Sequence, residues 1–325
     1  MFKFLFTFGL IILGLSLGYL IQRMVREMII QLPISLDQLR RILLKTALLF
    51  INPITVIGAI WVIELKDPRI VTLPFLGMGA IFLGGLLALW FSKLLQLERK
   101  QTGSLFTCGS FTNLGTMGGL VCYIFLGEIG FGLVYIYRLF EEFIYYTVGF
   151  PIAKLYGSAS VEREGFLNQL RKLVSDAFIL VSLCSLVLGS LFNLSGLKRP
   201  ELYQTVNSIF IPLGALLLII SIGLTMKISK VQDYLKECMA VSVIKFLIVP
   251  AVMTSLAFLL GYHEMVGGHL IKVVILLSSM PVAFNALIPP SLYDLDVDLA
   301  NSCWLFSTSL FIIILPVLYL MINFF

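Results

Sequence analysis

Two interrupted apolar segments, one in each half of the chain, constrain the fold more than any other feature of the sequence. Residues 109–119 read GSFTNLGTMGG and residues 280–290 read MPVAFNALIPP. Each segment places helix breakers and a side-chain amide inside an apolar stretch. Lipid cannot satisfy the backbone groups that a break exposes, so such breaks persist only inside protein or beside a water-filled cavity. Paired breaks in two halves indicate the substrate site of a secondary transporter.

The composition predicts an all-α integral membrane protein. Apolar residues make up 59% of the 325 positions and charged residues 13%, against about 45–50% and about 25% in soluble domains. Barrel strands would instead appear as short alternating segments. At about 20 apolar residues per span, the sequence divides into ten helices. Their rough bounds are 4–21, 42–63, 70–91, 105–126, 130–154, 174–193, 204–225, 239–260, 270–292 and 299–322.

The basic residues of the loops predict the orientation of these spans. Cytoplasmic loops carry an excess of Lys and Arg, and the odd-numbered loops hold fifteen of them. These are Arg23, Arg26, Arg40, Arg41, Lys45, Lys93, Arg99, Lys100, Lys154, Arg163, Arg171, Lys172, Lys227, Lys230 and Lys236. The N-terminus and the even-numbered loops hold six, namely Lys3, Lys66, Arg69, Lys198, Arg199 and Lys272. We therefore expect both termini to lie outside.

The longest hydrophilic segment, a cytoplasmic loop at 158–173, separates residues 1–157 from residues 174–325, with five predicted spans in each part. Because five is odd, the second half enters the membrane in the opposite orientation, so any internal repeat is inverted. We expect a multi-pass protein of the cell or inner membrane, surrounded by the lipid bilayer. No Lys/Arg tract suggests nucleic acid as a partner, and a homodimer is left open.

Several motifs resemble those of the auxin efflux carrier family of membrane transporters. Residues 109–117 are similar to its G-N-x-x-N-x-G-x-P signature, Lys245 to Met253 to its eighth span, and Met280 to Asp296 to its ninth span and following turn. The sequence departs from the signature at Ser110, where the family has Asn, and at Met117, where it has the crossover proline.

The resemblance implies the fold of the bile acid/sodium symporters and sodium/proton antiporters. In that fold, spans 1, 2, 6 and 7 form a scaffold, and spans 3–5 and 8–10 form a transport domain in which broken helices 4 and 9 cross. It also implies a secondary active carrier of small organic anions, such as auxin or dicarboxylates, that works by alternating access.

The residues of the two breaks are the candidate substrate site. Asn113 and Asn285 each offer two donors and one acceptor, which can hold a carboxylate without burying a full charge. Half-helix N-termini at the breaks add backbone N–H groups and a positive dipole end. Ser110, Gly115 and Pro281 belong to the same site. The alternative that the amides only cap the broken helices stays open.

A group of charged residues is the candidate coupling site. Arg138 precedes Glu141 and Glu142 by three and four residues, which is within helical reach of both. The two carboxylates repel each other, which favours protonation of one, and the coupling ion is H⁺ or Na⁺. A purely structural ion pair is the alternative. Lys245 either extends to the membrane interface or neutralises one of these carboxylates.

Other chemistry is not expected. The five cysteines contain no C-x-x-C pair, so neither a disulfide framework nor a zinc site is predicted, and no cofactor is expected. His263 and His269 lack a third ligand beyond Glu264. The turn of Asp294, Asp296 and Asp298 is expected outside, as a cap for the tenth span. The chain lacks an H-E-x-x-H motif and no catalytic residue is assigned, although an intramembrane enzyme, an ion channel and an antiporter-like exchanger remain alternatives.

Overall fold

The computed structural model describes residues 2–63, 67–157, 175–226 and 231–324. Within these residues the regular structure is helical, apart from one isolated β-bridge. The α-helices are α1 (Phe2–Arg26), α2 (Leu36–Lys45), α3 (Asn52–Ile60), α4 (Leu73–Leu94), α5 (Arg99–Ser110), α6 (Gly119–Tyr137), α7 (Glu141–Ile144), α8 (Phe150–Tyr156), α9 (Ala177–Leu194), α10 (Leu202–Gly223), α11 (Leu235–Val243), α12 (Val249–Leu259), α13 (His269–Ser278), α14 (Ile288–Leu292) and α15 (Val297–Ile322). Short 3₁₀ segments are Pro68–Thr72, Val231–Tyr234, Met265–Gly268 and Phe284–Leu287.

Four π-helical segments join these helices, at Thr46–Ile51, Leu114–Gly118, Tyr145–Gly149 and Ile244–Ile248. Three of them lead directly into a helix whose first or second residue is a proline, namely Pro53, Pro151 and Pro250. Proline has no N–H group and crowds the preceding turn, so the chain widens there to a bond five residues back. Tyr145 and Lys245 lie on two of these widened turns.

Eight helical stretches of the described chain are long and apolar enough to cross a membrane. The chain is therefore a multi-pass integral membrane protein. The two remaining predicted spans, 105–126 and 270–292, are the interrupted ones, and neither forms a single continuous helix over its length. The count of ten spans and the inverted repeat stay predictions, and the dividing loop at 158–173 lies outside the described residues.

The helices form two compact units. Unit 1 comprises Met1–Lys66, Gly119–Tyr135 and Asp176–Lys227, and unit 2 comprises Asp67–Gly118, Ile136–Ser175 and Ile228–Phe325. This grouping agrees with the scaffold and transport domain that the resemblance implies, except that the end of span four after Gly118 and the start of span five up to Tyr135 fall in unit 1. The grouping into two units does not test the predicted division of the chain into residues 1–157 and 174–325.

Unit 1 contains α1, α2, α3, α9 and α10. Gly18 of α1 lies so close to the backbone of α10 that a Cβ atom would meet Gly223 Cα at 2.8 Å. The end of α3 is held by Asn193, whose Nδ2 donates to Ile60 O at 3.0 Å and to Ile63 O at 2.6 Å. These contacts fix α1 and α9 to the rest of the unit.

Unit 2 contains α4, α5, α7, α8 and α11 to α15. Helices α4 and α5 pack closely at Gly84 and Gly109. The contact is so close that a Cβ atom on Gly84 would collide with Gly109 O. A cluster of Phe106, Ala153 and Leu295 joins α5 and α8 to the turn before α15. This packing holds α5, which ends at Ser110, at a fixed place in the unit.

Candidate functional site

The two predicted breaks meet each other within unit 2. Helix α5 ends at Ser110 and α13 ends at Ser278, and the extended residues that follow them pair as an antiparallel bridge between Thr112 and Val282. Asn113 N donates to Pro281 O at 2.9 Å, and Ala283 N donates to Phe111 O at 3.1 Å. Each broken segment thus satisfies backbone groups of the other, which lipid could not do.

The first segment breaks although Met117 stands where the family has proline. Phe111 is extended, with φ −85° and ψ 124°, and the chain resumes as a π-helical turn at Leu114–Gly118. The break is therefore stabilised by its pairing with the second segment and does not require proline at position 117.

The two predicted amides occupy different environments. Asn113 is 5% exposed; its Oδ1 accepts a hydrogen bond from Met117 N at 3.2 Å. Its Nδ2 is buried and has no hydrogen-bonding partner in the described chain. Asn285 is exposed on the 3₁₀ turn Phe284–Leu287. Asn113 thus caps its half-helix with Oδ1, while its Nδ2 donors have no acceptor among the described residues; its role in substrate binding stays a prediction.

The remaining predicted substrate residues lie around the same crossing. Pro281 is buried and its carbonyl accepts from Asn113. Ser110 is 2% exposed and its hydroxyl faces Gly85 of α4. Gly115 is bordered by the guanidinium of Arg138, which occupies the place where a Cβ atom would lie. The missing side chain at Gly115 lets a cation approach the first broken segment.

Arg138 forms ion pairs with both predicted carboxylates. Its Nε lies 2.6 Å from Glu141 Oε2, and its Nη2 lies 3.5 Å from Glu142 Oε1. Arg138 reaches both carboxylates as predicted, but the helix of this predicted span is interrupted. Helix α6 ends at Tyr137 and α7 begins at Glu141, so Arg138 lies in the turn between them.

Lys245 does not extend to the membrane interface, because its side chain is 2% exposed. Its ammonium forms no direct ion pair with a carboxylate of the described chain, but it interacts electrostatically with Glu141, so neutralisation of a carboxylate by Lys245 stays a prediction. Its Nζ instead donates to Thr112 Oγ1 at 2.6 Å. The π-helical turn at Ile244–Ile248 holds Lys245 against the crossing, where a buried cation needs a hydrogen-bonding partner.

Sequence reasoning missed Thr112 and Tyr145. Thr112 N donates to Tyr145 OH at 2.9 Å, and the Tyr145 ring stacks on Phe111 with centroids 3.9 Å apart. Thr112 therefore connects the crossing to Lys245 through its side chain and to Tyr145 through its backbone. The available signal was the position of Thr112, directly before the amide of the first break.

The acidic turn before α15 caps that helix as predicted, but its predicted external position conflicts with the predicted cytoplasmic position of Lys100, which it contacts. Asp296 Oδ1 accepts from Leu299 N at 2.9 Å, and Lys100 Nζ lies 2.5 Å from Asp294 Oδ2. Lys100 belongs to a loop that the basic residues place in the cytoplasm, and a turn in contact with it lies on that same side. The span count gives the same result, because this turn is the ninth loop and the odd-numbered loops are predicted to be cytoplasmic.

No metal site forms among the described residues. His263 lies beside Glu264, with Nε2 to Oε1 3.7 Å, and stacks on Phe258. His269 Nδ1 contacts Val266 O at 2.6 Å. Both histidines therefore have local structural contacts.

A multi-pass helical protein with two broken segments that pair beside a buried cation belongs, by its architecture, to the class of membrane transporters. The chain is a member of the Membrane transport protein family, the family of the auxin efflux carriers, whose model matches residues 37–319. An uncharacterized transporter of Methanothermobacter thermautotrophicus is 26% identical over 247 residues, which cover 76% of this chain and 77% of that relative. The family predicted from the motifs is confirmed, and it is a family of transporters rather than of enzymes.

Proposed function

We propose that the protein is a secondary active transporter of small organic anions, coupled to H⁺ or Na⁺ and working by alternating access. One observation supports this proposal. At the crossing of the broken segments, the hydrogen-bond acceptors are paired with donors of the protein, whereas some donors have no acceptor among the described residues. An anion is the ligand that such a surplus fits, because it only accepts hydrogen bonds.

The acceptors of the crossing already have donors. Phe111 O, Pro281 O and Asn113 Oδ1 each accept a backbone N–H. The donors are not exhausted. Asn113 Nδ2 has no partner in the described residues, and the ammonium of Lys245, which has three protons, makes one hydrogen bond, to Thr112.

The charges of unit 2 suggest how an ion and an anion are coupled. Two cations, Arg138 and Lys245, stand against two carboxylates, Glu141 and Glu142, so the group is neutral when all four are ionised. Loading one proton leaves a net charge of about +1, which favours an anion nearby. Losing that proton removes the attraction. Proton and anion therefore travel together in this proposal, and a Na⁺ ion held by a carboxylate would have the same effect.

The finer architecture is part of the proposal. We infer ten spans in two inverted halves, with interrupted spans four and nine, and both termini outside. The support is the pairing of Thr112 with Val282 and the fifteen against six basic residues in alternate loops. Fusion of a cytoplasm-active reporter after Phe325 checks the orientation, and a strong cytoplasmic signal would contradict it.

Uptake into proteoliposomes tests the function. We expect saturable uptake of a small carboxylate that depends on a proton or Na⁺ gradient; uptake that does not saturate would instead indicate a channel. A thermal-shift screen of carboxylates, with and without Na⁺, first identifies a stabilising anion.

Asn113→Ala tests the site itself. It should raise KM about tenfold or more, because the amide donates to the anion. Asn285→Ala, on the exposed amide, is the matched comparison, and we expect a smaller effect. If both variants transport normally, the anion binds elsewhere; if Asn113→Ala fails to fold, its role is capping.

A further inference from the structure

One turn of α15, from Trp304 to Thr308, packs directly on the second broken segment. Val282 N donates to Ser307 Oγ at 3.3 Å, and the Trp304 ring meets the Phe284 ring edge to face, with centroids 5.7 Å apart. Phe284 precedes Asn285 on the 3₁₀ turn. The tenth predicted span thus contributes a wall to the crossing, which the motifs of the sequence did not indicate.

Two polar groups of this turn lack partners. Trp304 Nε1 and Thr308 Oγ1 are buried, and neither has a hydrogen-bonding partner within the described part of the chain. Trp304 is 0% and Thr308 4% exposed. Their spacing of four residues places them on one face of α15. A buried donor without a partner is unfavourable, so each group calls for a partner that the described part of the chain does not supply.

We propose that Trp304 and Thr308 are further substrate-positioning residues, which donate hydrogen bonds to the transported anion alongside Asn113. This inference rests on the proposed function. An indole N–H only donates, and a threonine hydroxyl can donate, so both add to the surplus of donors at the crossing. Both groups are closed off from solvent in this conformation, as expected for a site that opens to water during only part of a transport cycle.

The test uses two variants of the full-length protein, Thr308→Val, which is nearly isosteric, and Trp304→Phe, which keeps an aromatic ring; each removes one donor. Uptake is measured with whichever of acetate, benzoate, succinate and L-malate stabilises the wild type in a thermal-shift assay. We expect KM to rise about tenfold in each variant, with maximal uptake changed by less than about twofold. The melting temperature of Thr308→Val should stay equal or rise, because an unpartnered buried donor is removed, whereas that of Trp304→Phe should fall, because the smaller ring leaves a cavity.

Matched controls carry the same substitutions at positions away from the crossing. Trp90→Phe changes a tryptophan that is 56% exposed, and Thr55→Val, in α3 of unit 1, removes a buried hydroxyl that donates to Asn52 O at 3.0 Å. Both controls should leave KM unchanged, and Thr55→Val should lower the melting temperature because it breaks an existing hydrogen bond.

The outcomes separate this inference from the proposed function. If Asn113→Ala impairs uptake while KM of both Trp304→Phe and Thr308→Val stays within about twofold of the wild type, the inference is wrong and the proposed function stands. A lower melting temperature of Thr308→Val, with KM unchanged in both variants, would assign the hydroxyl a structural role and would also overturn the inference. If none of the four acids is bound or transported by the wild type, the proposed function fails and this inference with it.

Discussion

Each unit contains a largely buried arginine in contact with carboxylates, and the two arrangements differ in their balance of charge. In unit 1, Arg199 pairs with the single carboxylate of Glu128 and also donates to Gly58 O at 2.9 Å. In unit 2, Arg138 faces Glu141 and Glu142 together. The side chains of Arg199 and Glu128 are 14% and 15% exposed, so the charged groups of this pair are largely shielded from water.

This difference distinguishes a structural ion pair from the candidate coupling site. A one-to-one pair with a further carbonyl acceptor is compensated in charge, and it connects the turn after α9 to α3 and α6. In the proposed mechanism, a cation shared by two carboxylates leaves one of them under-compensated, and that carboxylate exchanges its charge for a proton. Sequence reasoning singled out the second group and overlooked the first, because Glu128 and Arg199 are 71 residues apart.

The largest expected effect comes from breaking the balanced pair. Glu128→Gln leaves Arg199 without its carboxylate, so we expect a loss of about 3 kcal/mol of unfolding free energy. The double variant Glu128→Gln with Arg199→Gln should recover part of this loss, because it leaves no uncompensated charge. Unfolding of the purified protein in mixed micelles measures both.

The matched variant in unit 2 is Glu141→Gln. It should cost less stability than Glu128→Gln, because Arg138 keeps Glu142 as its partner. An equal or larger loss would show that the unit 2 group is also a structural pair.

The next effect concerns pH. Substrate binding should weaken as pH rises, because deprotonation removes the net positive charge. If one proton is linked to the anion, KM changes by up to about tenfold per pH unit. Glu141→Gln or Glu142→Gln imitates the protonated state at every pH, so one of them should flatten this slope, whereas Glu128→Gln should retain it. Uptake measured across a pH series decides, and slopes like that of the wild type in both unit 2 variants would exclude proton coupling at this site.

The smallest expected effect comes from adding one methyl group beside Arg138. Gly115→Ala places a Cβ atom on the guanidinium, so Arg138 must shift, at a cost of about 1–3 kcal/mol, and uptake should fall. Gly119→Ala is the control, since its Cβ would meet Phe131 Cε2 at an ordinary 3.5 Å and an alanine favours the helix. If the two variants have the same stability and the same uptake, the contact between Gly115 and Arg138 does not contribute to transport.

Much of the fold and part of the site could be predicted from local features of the sequence. The reach from Arg138 to both carboxylates was correct because spacing along the chain determines it. The position of Lys245 was not predicted, because its partner Thr112 is 133 residues away and no local pattern connects them. The burial of Asn113 and the exposure of Asn285 were not predicted either, since both amides follow similar breaks.

The sequence by itself determined that the chain crosses membranes, where its helices break and which family it belongs to. These properties follow from runs of apolar residues, from glycine and proline chemistry and from motifs, all of which act over short stretches. The tertiary structure alone decided which buried polar groups are satisfied. It paired Lys245 with Thr112, held Asn113 against Pro281 and left the donors of Trp304 and Thr308 without a partner among the described residues. A hydrogen bond depends on the position of both of its atoms, and packing brings those atoms together from distant parts of the chain.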